Sequence, residues 1–104
     1  MIRKISEKEF REEVMKDEAA VVDFSATWCG PCRMLAPVME ELSGELEGRA
    51  KFYNVDVDEN PQLAAEFGVS SIPNVLIFKK GKVADQSVGF MPGLQMKGWI
   101  EGKL

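Results

Sequence analysis

The run Ala19-Ala20-Val21-Val22-Asp23-Phe24-Ser25 is short, β-branched and largely apolar. A strand sends alternate side chains to opposite faces, so a run apolar on both sets belongs in the middle of a sheet covered on both sides. The flanking sequence supplies the cover. Ser6 followed by Glu9 is a capping-box start for a helix carrying Phe10, Val14 and Met15 on one face. From Cys32 to about Leu46, apolar residues at 35, 38, 39, 42 and 46 repeat at helical spacing, with Pro37 predicting a kink and Gly44 and Gly48 the exit. Arg3-Lys4-Ile5 and Lys51 to Val57 read as strands, and Asn60 with Pro61 opens a helix ending at Gly68. Asn74 to Phe78 and Val83 to Val88 form an antiparallel hairpin, because the link Lys79-Lys80-Gly81-Lys82 is too short for a parallel crossover. A last helix spans Leu94 to Leu104. The order βαβα-βα-ββα predicts one α/β domain over residues 1–104, with helices on both faces of a mixed sheet.

Composition excludes several function classes. A chain of 104 residues has room for about one domain and one core. Thirteen basic against seventeen acidic side chains give a net charge of −4, all of it in residues 1–50, which argues against nucleic acid as a partner. The longest apolar run, Met34 to Met39, is far short of the roughly 18 residues that suggest a membrane span. Charges at Arg3, Lys4 and Glu7 fall where a secretory leader would be apolar, so the cytosol is the expected compartment. Histidine is absent and cysteine occurs twice. Ser-His and Cys-His catalysis are thereby removed, and too few ligands remain for a closed zinc site within one chain. A zinc site shared by two chains stays open; no bound metal or cofactor is expected.

Trp28-Cys29-Gly30-Pro31-Cys32 falls between the buried strand and the long helix. Cys29 should therefore sit at the helix N-terminus, where unpaired N–H groups and the macrodipole favour a thiolate, and it is the expected nucleophile. Cys32, nearly one helical turn on, can reach Cys29 to close a four-residue disulfide loop. Its place inside the helix predicts that it is the shielded, resolving thiol. Two blander readings compete. A merely stabilising disulfide in so small a loop contributes only roughly 2 kcal/mol. Two inert core cysteines would not be separated by Gly-Pro, which is loop chemistry. A redox pair is the stronger reading, and Cys-x-x-Cys near a βαβ pattern is a known redox motif. On residues alone, Asp23 reads as a solvated strand-end carboxylate. Pro73 reads as a trans-proline turn, since cis is only about 5–6% of X–Pro bonds.

Asp23-Phe24, the Trp28–Cys32 pentapeptide, Asp56 to Pro61, Ser71-Ile72-Pro73 and Val88-Gly89 together resemble the thioredoxin family over essentially the whole chain. The resemblance implies a thioredoxin fold, a central five-stranded sheet flanked by four helices. It implies a reductant of disulfides in client proteins, recharged by a flavoprotein thioredoxin reductase, with the Cys29-Cys32 dithiol in place of any bound cofactor. Cys29 would attack the substrate disulfide and Cys32 would resolve the mixed disulfide. The resemblance reverses two readings. It makes Asp23 a buried acid that takes the proton from Cys32, and Ile72-Pro73 a cis bond. Trp28, Gly30, Pro31, Ile72, Pro73, Val88 and Gly89 would border an apolar docking groove on a monomer. A reductant dedicated to one client, an oxidase, and a binding subunit without turnover are the competing readings.

The chain departs from the family pattern in places. Asn54 stands where a lysine often neighbours the acid, and Lys51, three residues away along the strand, points to the other face. Ser25 replaces a common aromatic residue, Asn74 a common threonine, and Phe90 a usually small residue. These positions bear on the titration of Asp23 and on groove width. Arg33, after Cys32, reads equally as a charge that favours the thiolate and as a solvated arginine on the helix surface.

Overall fold

The computed structural model describes residues 1–104. In chain order the elements are β1 (Arg3–Lys4), α1 (Glu7–Glu12), a 3-10 turn (Val14–Lys16), β2 (Ala19–Ser25), α2 (Gly30–Glu45), β3 (Lys51–Asp56), α3 (Pro61–Glu66), β4 (Asn74–Lys79), β5 (Lys82–Val88) and α4 (Gly93–Glu101). The five strands form one sheet in the order β1-β3-β2-β4-β5. β3 runs parallel to β1 and β2, whereas β4 runs antiparallel to β2 and β5. This is the expected mixed sheet with four α-helices, and β2 is its central strand, with six of its seven residues buried.

Alternation along β2 divides the core. Ala20, Val22 and Phe24 face a cluster that includes Phe10 of α1, Leu63 of α3 and Phe78 of β4. Val21 faces the other side, toward Leu35 and Met39 of α2 and Met96 and Ile100 of α4. At the first cluster Phe78 meets Phe10 and Phe67 edge-on and Phe10 tilts against Phe67, with ring centroids 5.2–5.4 Å apart. Full burial of Phe10 and of Phe78 contributes roughly 1.5–3 kcal/mol each.

Local signals account for most element ends. Ser6 Oγ accepts from Glu9 N–H at 3.2 Å while Glu9 Oε1 accepts from Ser6 N–H at 3.0 Å, the reciprocal pair expected of a capping box. The helix it starts is shorter than its apolar spacing suggests, because the chain tightens into a 3-10 turn at Val14–Lys16 before entering β2. Asn60 precedes Pro61 as expected but does not cap α3. Its Oδ1 accepts from Glu7 N–H at 3.0 Å and its Nδ2 donates to the Asp56 carbonyl at 3.1 Å, tying α3 to the start of α1. The β4–β5 turn places Lys80 and Gly81 at positive φ, 52° and 79°, and a Cβ on Gly81 would lie 2.7 Å from the Met15 carbonyl oxygen.

The mixed pairing fixes where the site assembles. Parallel strands β2 and β3 finish at one end of the sheet, and antiparallel β4 begins there, with Phe24 opposite Asn74. The segments just beyond Ser25, just beyond Asp56 and just before Asn74 therefore gather at the same end.

Candidate active site

Beyond Ser25 the chain turns, with Cys29 N–H donating to the Ala26 carbonyl at 3.2 Å, and enters α2. Cys29 is the N-cap of that helix. Its backbone is extended, and its Sγ accepts from Cys32 N–H at 3.2 Å. The sulfur thus takes one of the N–H groups that a helix N-terminus leaves unpaired, an arrangement that favours a thiolate over a thiol. Pro31 costs the helix nothing in its first turn, where its missing N–H would have had no partner. Cys29 and Cys32 are joined in a disulfide, with Cα atoms 5.2 Å apart.

The expected difference in exposure is absent from this oxidised state: Cys29 is 5% exposed and Cys32 4%. Ala26, Val57 and Ile72 close around both, because the three segments at this end of the sheet converge on the disulfide. The two sulfurs differ in surroundings instead. Cys29 Sγ lies 3.9 Å from the Ile72 carbonyl oxygen, on the side of the loop that leads into β4. Cys32 borders a cleft of about 260 Å³ that also reaches Asp23, Ser25, Asn54 and Asp56.

Asp23 is 2% exposed, so the solvated strand-end reading fails: the strand continues past it, and α2 covers the face it occupies. Burial pushes its carboxyl up to about 7, and Oδ1 has no hydrogen-bond partner. Asn54 stands in register beside it on β3 but turns away from the carboxyl. Its Nδ2 donates to the Asp23 carbonyl at 3.2 Å and to Ser25 Oγ at 2.8 Å. Lys51 is on the opposite face, as its spacing from Asn54 requires, and lies 3.5 Å from Asp17.

The Ile72-Pro73 bond is cis, against the trans reading from residues alone and in agreement with the family resemblance. Pro73 is buried, and its carbonyl accepts from Gly89 N–H at 2.8 Å, which brings the Val88-Gly89 turn beside the proline. Trp28 is 67% exposed, Val88 58% and Phe90 41%, with Pro31 also exposed and Gly30, Ile72 and Gly89 half-buried. Arg33 Nη1 reaches the Thr27 carbonyl at 3.5 Å.

One site residue went unread in the sequence. Trp28 Nε1 donates to Asp58 Oδ2 at 2.7 Å. Asp56 Oδ1 accepts from the Asp58 and Glu59 N–H groups at 2.8 and 3.1 Å, shaping the turn that delivers Asp58. The signal was the parallel pairing of β2 with β3, which places residues just after one strand beside those just after the other. A larger cavity of about 400 Å³ lies at the far end of the sheet, near Asp17, Gly48 and Lys51, and contains no cysteine. No group of three or more His, Cys, Asp or Glu side chains is arranged to hold a metal, and no helix is long and apolar enough to cross a membrane.

Comparison with known proteins gives one family. The thioredoxin family model matches residues 1–102. A thioredoxin of Staphylococcus haemolyticus is 50% identical over 91 residues, covering 88% of this chain and 86% of its own. Thioredoxin 2 of Chlorobaculum tepidum is 51% identical over 88 residues, 84% of this chain and 81% of its own. A thioredoxin of Rickettsia bellii is 41% identical over 105 residues, spanning all of both chains. A cysteine pair at the head of a helix can pass electrons to and from other disulfides, and it is to the thioredoxin family of thiol–disulfide oxidoreductases that this chain belongs.

Proposed function

We propose that the protein is a general reductant of protein disulfides in the cytosol, acting as a monomeric single domain and recharged by a thioredoxin reductase. In its dithiol form, the Cys29 thiolate attacks one sulfur of the client disulfide, forming a Cys29–client bond and expelling the other client sulfur as a thiolate. The Cys32 thiol then loses its proton to the Asp23 carboxylate and attacks Cys29 Sγ. The Cys29–Cys32 bond forms and the second client thiolate leaves. Two electrons pass to the client, and its thiolates take up protons from solvent. The reductase returns two electrons to the Cys29–Cys32 disulfide.

The observation that carries this reading is the hydrogen bond from Cys32 N–H to Cys29 Sγ at the helix N-cap. It favours Cys29 as the first nucleophile on electrostatic grounds, whereas the nearly equal coverage of the two sulfurs gives no ground from exposure. Asp23 is suited to its part because a base acts best with a pKa near the working pH, and its carboxyl sits at about 7. Clients would dock on Trp28, Gly30, Pro31, Ile72, Pro73, Val88 and Gly89, with an extended client segment pairing with the Ile72 backbone as an added strand. The test is reduction of a protein disulfide by the purified chain with an added electron donor. Turnover by the wild type and none by Cys29→Ser is expected. Replacing both cysteines by serine should abolish function in the cell as well as turnover; retained cellular function without turnover would instead favour a binding subunit.

A further inference from the structure

Of the polar side chains along the β2–β3 seam, the exchange scheme uses Asp23 and leaves Ser25, Asn54 and Asp56 without a part. Asp23, Ser25, Asn54 and Asp56 line one cleft with Cys32, beneath the first turns of α2. Both observed bonds of the Asn54 amide cross from β3 to β2, to the Asp23 carbonyl and the Ser25 hydroxyl. The Asp23 carboxyl stands beside it in register with Oδ1 unpaired, although a strong donor is one strand away. A buried acceptor beside an available amide would normally capture it. Here the Ser25 hydroxyl competes for that donor.

We propose that Asn54 is a positioning residue of thiol–disulfide exchange: the Ser25 hydroxyl and the Asp23 carbonyl hold its neutral amide away from the Asp23 carboxyl, and this sets the pH window of the Cys32 step. The proposal rests on the reading that Asp23 takes the proton from Cys32. The charged groups lining the same cleft are Lys4 from β1, Arg33 from α2 and Asp56 from β3, and β4 presents only Val75 opposite Asp23. Each charge is engaged elsewhere. Lys4 Nζ pairs with Glu59 at 3.2 Å, Arg33 reaches the Thr27 carbonyl, and Asp56 Oδ1 holds the Asp58 and Glu59 amides. Asn54 is therefore the neighbour whose chemistry tunes the acid. A donor or cation turned toward the carboxyl would let it ionise at lower pH, and an anion there would keep its proton to higher pH.

The two steps can be timed separately. The protein, reduced and freed of reductant, is mixed in a stopped-flow instrument with one equivalent of 5,5′-dithiobis(2-nitrobenzoate). The first thionitrobenzoate released reports attack by Cys29 and the second reports displacement by Cys32, each followed from pH 5 to 9. Asn54→Lys should move the midpoint of the second phase down by about one pH unit, and Asn54→Asp should move it up by about as much. Ser25→Ala frees the amide to turn and should move it down by about half a unit, whereas Ser25→Thr keeps the hydroxyl and should match the wild type. First-phase profiles should coincide throughout. A purely structural Asn54 would lower thermal stability in these variants while leaving second-phase midpoints superimposed, and that result overturns the proposal. A fast first phase in Cys29→Ser would instead overturn the exchange scheme and the proposal with it, so the two failures are distinct.

Discussion

Replacing Asp23 by asparagine should make the folded protein more stable at neutral pH and remove most of its stability change between pH 5 and 8. The carboxyl is buried, and its pKa rises from an ordinary 3.8 to about 7 because desolvation penalises the charged form. Below 3.8 both the folded and unfolded states hold the proton. Between 3.8 and about 7 the folded protein keeps it while the unfolded chain releases it, so rising pH favours unfolding; above 7 the loss is complete. Each pH unit in that window removes about 1.4 kcal/mol, hence about 2.7 kcal/mol between pH 5 and 8. The chain has no histidine, the disulfide cysteines do not titrate, and burial pushes the Asp23 carboxyl toward neutrality. The asparagine variant lacks the ionised buried group, a gain of about 4 kcal/mol at pH 8, less about 1–3 kcal/mol for an amide with unpaired donors. A net stabilisation of about 1–3 kcal/mol is expected. Urea unfolding of the oxidised proteins, followed by circular dichroism at both pH values, measures it. A wild type equally stable at pH 5 and 8, or a variant that keeps the wild-type slope, would refute the reasoning.

Other perturbations have equally definite outcomes. Cys32→Ser should trap client proteins as covalent adducts on non-reducing gels while Cys29→Ser traps none; equal trapping by both would remove the assignment of roles. Asp58→Ala deletes the acceptor of the Trp28 indole N–H, and should raise KM for a protein disulfide several-fold while barely changing reduction of a small aromatic disulfide. Equal effects on both substrates would count against a docking role for Trp28. Gly81→Ala forces a Cβ to within 2.7 Å of the Met15 carbonyl at a φ of +79°, and should cost about 2 kcal/mol in urea unfolding with no change in the rate of disulfide exchange.

The fold was readable where local chemistry and burial agree. Residues 19–25 are apolar on both faces, and they form the central strand with those bounds. Ser6 and Glu9 caught the start of α1, but nothing local marked its change to a 3-10 turn near Val14, which answers to the approach of β2. Asn60 has the chemistry of a cap and spends it on Glu7 and Asp56, partners distant in sequence. At the site, the disulfide pairing was legible because it is a short-range matter of helix geometry. The burial of Asp23, the cis bond before Pro73 and the Trp28–Asp58 contact depend on segments that meet only once the sheet is formed. Family resemblance supplied the first two, and strand order explains the third. The coverage of Cys29 ran against expectation because a helix N-cap, exposed in isolation, is roofed here by the loop before β4.

The 16-residue helix α2 begins at the sulfurs and ends near the turn around Gly48, about 24 Å away at 1.5 Å per residue. The molecule is therefore polar in the geographic sense, with all of its reactivity at one pole. A surface linker, dye or fused partner attached at Glu47 stands a full helix length from Cys29, so the chain can be tethered by that end with its sulfurs facing outward.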